Sequence, residues 1–448
     1  MASAAEQLAA NLNLGAFAKA TELKKRLWFT LGALIIYRLG TYIPVPGIDP
    51  VALEQIFEQQ SNTMLGMFDM LAGGALGRMT IFALSIMPYI SAAIIMQLMT
   101  AVSPKLEELK KEGESGRKKI NQYTRYGTVL LAAVQAYGIA VGLEGMGGPG
   151  GSAVIKPGLF FRFTTVITLT GGTIFLMWLG EQITKRGVGN GISLIIFSGI
   201  VARLPSALAS TLELGRTGAL SAGVIIFVIV MAVAVIAFIV FMERAQRRLV
   251  VQYPKRQVGN RMYGGQHSHL PIKVNSAGVI PLIFASSLLL MPLTVAGFSG
   301  AAGPDWLTSV TALLGRGQPL YLALYISLII FFTFFYTSIV FNPEDTADNL
   351  KKHGGFIPGI RPGRNTAAYI HYVMMRLTTV GAIYLAAVAL LPEYLVAEYN
   401  VPFFFGGTSL LIVVSVTMDT VAQIHSHLLA HQYEGLIRKA KLKGRRGP

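Results

Sequence analysis

The side chains of this chain that could do chemistry are few, and they are not arranged for it. There is no cysteine, which removes disulfides, thiolate zinc sites and a cysteine nucleophile. His425, His427 and His431 are clustered, but their spacing does not put all three on one helical face, so they read as a solvated surface rather than metal ligands. HExxH and GxSxG are absent, no Ser–His–Asp arrangement stands out, and no G-x-x-x-x-G-K-[ST] loop is present to harness a nucleoside triphosphate. An intramembrane hydrolase would lack its nucleophile. Arg38, Arg162, Glu181, Arg376 and Asp419 interrupt otherwise apolar runs, and each costs ~2.5–3.5 kcal/mol at the centre of a membrane helix. Most stand within a turn or two of a run's end, where they can snorkel. No carboxylate cluster suggests a proton relay, and no cofactor or metal is expected. The chain reads as a non-enzyme.

The elements that would position these groups are membrane helices. Of the 448 residues, 53% are hydrophobic and 13% charged, and mean hydropathy is +0.54. Uncharged runs near 20 residues recur, as a helix crossing a ~30 Å hydrocarbon core at ~1.5 Å per residue requires. Ten crossings are expected, at 27–45, within 64–102, and at 126–143, 159–184, 192–208, 219–242, 275–298, 319–341, 367–391 and 403–425. Five precede and five follow the Leu208–Gly218 connection, which suits two inverted five-helix halves, residues 1–208 and 209–448. The polar N-terminal stretch is too long before its first apolar run to be a cleaved signal peptide. Net charge is +16, and 30 of the 38 Lys and Arg lie in 1–26, 103–125, 185–186, 243–274, 342–366 and 426–448. That asymmetry places both termini in the cytoplasm.

One stretch breaks the pattern. Met64–Val102 opens with the short apolar run MLGMFDML, turns through Gly73, Gly74 and Gly77, and continues as an uncharged run of about 24 residues read as one spanning helix. A half-helix at membrane depth needs protein or a water-filled cavity around it, so a hollow interior is implied. On the cytosolic side, Arg247–Val274 reads as a projecting two-stranded ribbon around KRQVGN, and Asn342–Thr366 as a short helical turn and a stiff Gly/Pro loop. Together they form a basic platform for a large partner. Ile86, Ile90, Ile196, Ile283 and Ile412 fall near the middle of four spans; spacing alone makes them packing or lipid-facing residues. Ser91, Gln135 and Asn275 are uncharged polar groups in or beside spans, each good for an interhelical hydrogen bond of ~1 kcal/mol.

SIMPYISAAIIMQLM, KEGESGRKKINQYTRYG, MWLGEQITKRGVGNGIS, KVNSAGVIPLIFASS, FNPEDTADNLKKHGGFIPGIRPG, FGGTSLLIVVSV and QYEGLIRKAKLKG follow one another along the chain. Together they resemble the SecY family, channel subunits of the bacterial protein translocase, over essentially the whole length. The resemblance implies an all-α polytopic membrane protein with an hourglass pore in a bacterial inner membrane. It implies that Met64–Arg78, including Met64, Leu65, Met67, Phe68, Leu71, Gly73 and Gly74, is a plug on the non-cytosolic side. The five isoleucines then match a pore ring, whose branched apolar side chains close around an extended polypeptide and solvate ions poorly. Spans two, three, seven and eight match a lateral gate, with Ser91, Gln135, Asn275 and Met291 at gate positions. Arg261, Arg361 and Arg364 lie in loops like those receiving the SecA motor or the ribosome. Implied partners are SecE, SecG, SecA, the ribosome, precursors with signal sequences and membrane lipids. Three residues depart from the family pattern: Ser85 where glycine is usual, Asn260 where arginine often precedes Arg261, and Met291 where an aromatic is common. The rival reading is a secondary transporter with inverted repeats, which would need a polar cluster at broken helices near the midplane.

Overall fold

The computed structural model describes residues 21–50, 52–53, 69, 72–145, 147–148, 151–217, 222–253, 256–258, 261–263, 267–299, 318–399 and 407–444. The helices and strands, in order, are α1 (Thr21–Gly40), α2 (Met87–Val102), α3 (Pro104–Lys111), α4 (Glu114–Gly145), β1 (Gly147–Gly148), β2 (Gly151–Ser152), α5 (Leu159–Arg186) and α6 (Gly191–Arg216). They continue as α7 (Ala222–Arg244), β3 (Gln246–Gln252), β4 (Arg256–Val258), β5 (Arg261–Tyr263), β6 (His267–Lys273), α8 (Ile280–Ser299), α9 (Pro319–Val340), α10 (Pro343–Lys352), α11 (Arg364–Tyr399) and α12 (Gly407–Gly444). A helix stands at each of the ten apolar stretches. Among the described residues seven helices are long and apolar enough to cross a membrane, or eight if the sharply bent pair α2–α3 is one span. The protein is a multi-pass membrane protein. Chain contacts divide it into two compact units: Met1–Pro205 with Gly297–Ala302 and Val416–Pro448, and Ser206–Ala296 with Gly303–Ser415.

In the first unit, α4 packs on α2 and α5, and α1 on α5. Small residues set the approach. A Cβ on Gly172 of α5 would sit 2.0 Å from the Ile81 carbonyl oxygen, and one on Gly191 of α6 would sit 2.0 Å from the Gly180 carbonyl oxygen. The 187–190 turn is fastened from two sides: Val188 N–H donates to Thr30 Oγ1 at 3.0 Å, and Gly189 N–H to Gln423 Oε1 at 2.9 Å. Leu23 and Val188 form a small core there with Leu27, Ile424 and Leu428. The charges in these spans are partnered rather than merely snorkelling. Arg125 grips Glu181 with two bonds, 2.9 and 2.6 Å, and Arg162 binds Glu144 at 2.8 and 2.6 Å.

Three helix boundaries correct the sequence reading. The first span was expected to reach Val45, but α1 ends at Gly40, and the second was expected as one helix of about 24 residues, but α2 begins only at Met87. The cause is a short extended pairing: Val45 N–H donates to Met79 O at 2.9 Å and Ile81 N–H to Ile43 O at 3.0 Å. Backbone groups used there are unavailable to either helix. Met79 and Ser85 also take positive φ, +43° and +51°, which no helix interior accommodates. Pro88, in the first turn of α2, was the legible sign of that start. The connection expected at Leu208–Gly218 is instead helical as far as Arg216, with Pro205 inside α6.

In the second unit α11 packs against α9 and α10. The ribbon is present: β3 pairs antiparallel with β6 from Gln246↔Lys273 to Gln252↔His267, and β4 pairs with β5 nearer its tip. Ribbon and Gly/Pro loop are joined, which the sequence did not reveal. Gln252 and Phe356 exchange backbone hydrogen bonds at 2.8 and 2.9 Å. Leu249 and Ile272 of the ribbon share a core with Ile357 of the loop and Ile370 of α11.

Candidate functional site

The stretch ahead of α2 is held by several side-chain interactions. Ala72–Ile86 is a series of turns, and Gly73 and Gly74 take positive φ, +67° and +85°, as glycine allows at little cost. Three arginines surround this turn. Arg38 Nη1 of α1 donates to Gly73 O at 3.2 Å, Arg78 Nε donates to Gly74 O at 3.1 Å, and Arg203 of α6 is ion-paired with Asp69. Asp69 is buried, and its other oxygen accepts Gly77 N–H at 2.6 Å. A Cβ on Gly73 would lie 2.8 Å from Gly199 Cα, so the turn rests on the α6 backbone. Arg78 in turn stacks on Tyr42, 4.2 Å from the ring centroid. Of the expected plug residues, Gly73 and Gly74 belong to this docked turn; Met64, Leu65, Met67, Phe68 and Leu71 lie outside the described residues.

Ile86, Ile90, Ile196 and Ile412 are buried and Ile283 is half-buried. Isoleucines exposed on α7 contrast with them: Ile226 is 62% exposed. Ile86, Ile90 and Ile196 belong to the first unit, Ile283 and Ile412 to the second.

Of the expected gate residues, Ser91 is buried on α2 and Gln135 half-buried on α4. Asn275 is buried just before α8, where Nδ2 donates to Glu243 Oε1 at 2.7 Å and to Gly278 O at 3.2 Å. Asn275 therefore ties the start of α8 to the end of α7. Met291 is in α8, with its side chain outside the described residues.

The basic platform has its own geometry. Arg361 is exposed between Gly359 (φ +81°) and Gly363 (φ +106°), and its carbonyl accepts Thr366 Oγ1 at 3.0 Å. Arg364, also exposed, opens α11. Arg261 begins β5; its side chain, and the whole of Asn260, lie outside the described residues. A cleft of about 620 Å³ at the ribbon's base is lined by Arg247, Arg248, Leu249, Ile357, Pro358 and Tyr369. His425 and His427 lie on α12, as does His431, whose side chain is outside the described residues.

Sequence reasoning missed Asp69, Arg203 and Glu243. Asp69 is the one acid in its apolar run, and a buried acid implies a partner; that signal was available. The choice of Arg203, over 130 residues away, was not.

A family model described as SecY matches residues 80–421. The protein translocase subunit SecY of Escherichia coli strain K12 is 59% identical over 424 residues, covering 94% of this chain and 96% of that one. The chain belongs to the SecY family. Among solved structures, one describing how the plug domain of the SecY protein stabilises the closed state of the translocation channel aligns with a TM-score of 0.61 at 19% identity, covering 90% of this chain and 92% of that one. Sec61 in the canine ribosome–channel complex aligns with a TM-score of 0.59 at 19% identity and the same coverage. At such identities the likeness speaks for the SecY fold alone.

Proposed function

We propose that this chain is the channel subunit of a protein translocase, conducting unfolded polypeptides across the membrane and releasing apolar segments sideways into lipid. The observation that carries it is identity with a translocase subunit along nearly the whole length. Family membership makes it a channel component and not an enzyme; the energy comes from outside. The secondary-transporter reading is not favoured, because the relatives that match this chain along nearly its whole length are translocase subunits.

Within this reading Met64–Arg78 is the plug, and Ile86, Ile90, Ile196, Ile283 and Ile412 are the ring that closes on the translocating chain. Residues 1–208 and 209–448 act as two halves. Ser91, Gln135, Asn275 and Met291 belong to the lateral gate, with Asn275 anchoring α8 through Glu243. Burial of the isoleucines and docking of the 72–78 turn support these roles. The basic ribbon and the Arg361 loop, joined by one core, receive SecA or the ribosome. SecE and SecG clasp the halves, and signal-sequence precursors are the cargo. The chain resides in a bacterial inner membrane with both termini cytoplasmic, as the distribution of Lys and Arg supports. Vesicles carrying the reconstituted translocase, given the motor and ATP, should shelter a secretory precursor from added protease. Full digestion with motor and ATP present would contradict the assignment.

A further inference from the structure

The plug reading leaves open what holds the plug shut, and the first unit contains a specific answer. Asp69 is the only acid in the described part of the 64–78 stretch, and its side chain is 8% exposed. A buried carboxylate is costly unless it is paired. Here one oxygen meets Arg203 of α6 and the other accepts Gly77 N–H. Arg38 and Arg78 are committed to the neighbouring Gly73 and Gly74 carbonyls. On α6, Ile196, Gly199 and Arg203 are spaced i, i+3, i+7, which is one helical face. Two of the three touch the plug: Gly199 supports Gly73, and Arg203 holds Asp69. The third is a ring isoleucine.

We propose that Asp69 and Arg203 form an ionic latch on the plug, mounted on the same face of α6 as ring residue Ile196. The inference rests on the plug and ring readings above and adds a coupling between them. A polypeptide entering the ring displaces Ile196 and the α6 face behind it. That movement draws Gly199 and Arg203 away from the plug, so widening the waist and releasing the stopper are one event. An ion too small to spread the ring leaves the latch closed. The pair is compact and the Asp69 side chain is buried, so breaking it leaves the carboxylate, among the described residues, with the Gly77 amide and costs more than opening an exposed pair.

The test measures ion leak through the complete translocase in planar bilayers, without motor or precursor, alongside motor-driven export. Deleting Met64–Gly77 examines the plug reading itself: unchanged leak in that variant contradicts the plug and, with it, the latch. With leak raised by the deletion, Asp69→Asn and Arg203→Gln should each raise resting leak about tenfold, the population change that ~1.4 kcal/mol produces. Arg203→Gln should leak more than Asp69→Asn, because it leaves the carboxylate unpaired. Arg203→Lys keeps the charge and should stay near the native leak, and all three point variants should still export. Native leak in both neutral variants, equal leak in the Gln and Lys variants, or leak joined to lost export would overturn the latch while leaving the plug in place.

Discussion

At the scale of single residues, backbone conformation explains one departure from the family pattern. Ser85 sits at φ +51°, a region costing a non-glycine residue about 1–3 kcal/mol, so the usual glycine at this position has a physical reason. Ser85 N–H still closes the turn onto Phe82 O at 2.8 Å, and the residue is buried. Ser85→Gly should raise the thermal unfolding midpoint, with a gain of about 1 kcal/mol. Ser85→Val, branched at Cβ, should lower it by at least as much. Equal midpoints for the two would remove the backbone argument. Charged residues inside the spans follow a related logic. Arg38, Arg162 and Glu181 are tolerated because each has a named partner, whereas reading them one at a time suggested only escape to the interface.

At the scale of elements, the helices were legible because apolar length is a direct consequence of bilayer thickness. The β3–β6 ribbon was legible from alternating residues around a turn. Helix starts were less so. The Met79–Ile86 stretch is as apolar as a helix would be, and its pairing with Ile43–Val45, some 35 residues earlier, diverts it. Hydropathy carries no information about such long-range pairing, although Pro88 did. For the same reason the shared core of ribbon and loop, Leu249 and Ile272 with Ile357 and Ile370, is invisible to segment-by-segment reading. The seat of the diverted stretch on α5 can be tested. A methyl group at Gly172 would stand 2.0 Å from the Ile81 carbonyl oxygen, a backbone atom that cannot rotate aside. Gly172→Ala should therefore cost about 1–3 kcal/mol, as overpacking does, read as a lower unfolding midpoint. An unchanged midpoint would mean that α5 and the turn do not meet as described.

At the scale of the whole molecule, function is divided between two ends of the chain's chemistry. On the proposed reading, apolar residues do the conducting, and basic residues on the joined ribbon and loop do the recruiting. Arg361 stands exposed on a loop stiffened by Pro358 and Pro362, with Gly359 and Gly363 at the bends. Arg361→Glu should therefore reduce motor-driven export strongly while leaving membrane assembly intact, measured as precursor protected per channel. Native export by that variant would remove Arg361 from the coupling surface. The candidate site was legible in the sequence only through resemblance, since five isoleucines at mid-span are ordinary packing residues by spacing. Their burial separates them from the exposed isoleucines of α7.

The most direct test uses the absence of cysteine in this chain. Single cysteines placed at Ile86, Ile90, Ile196, Ile283 or Ile412 should form disulfides, on addition of a thiol oxidant, with a precursor carrying one cysteine and halted midway through export. Cysteines at Phe160 and Ile229, exposed on α5 and α7, should form none. Adducts at the exposed positions but not at the isoleucines would contradict a polypeptide path through an apolar ring.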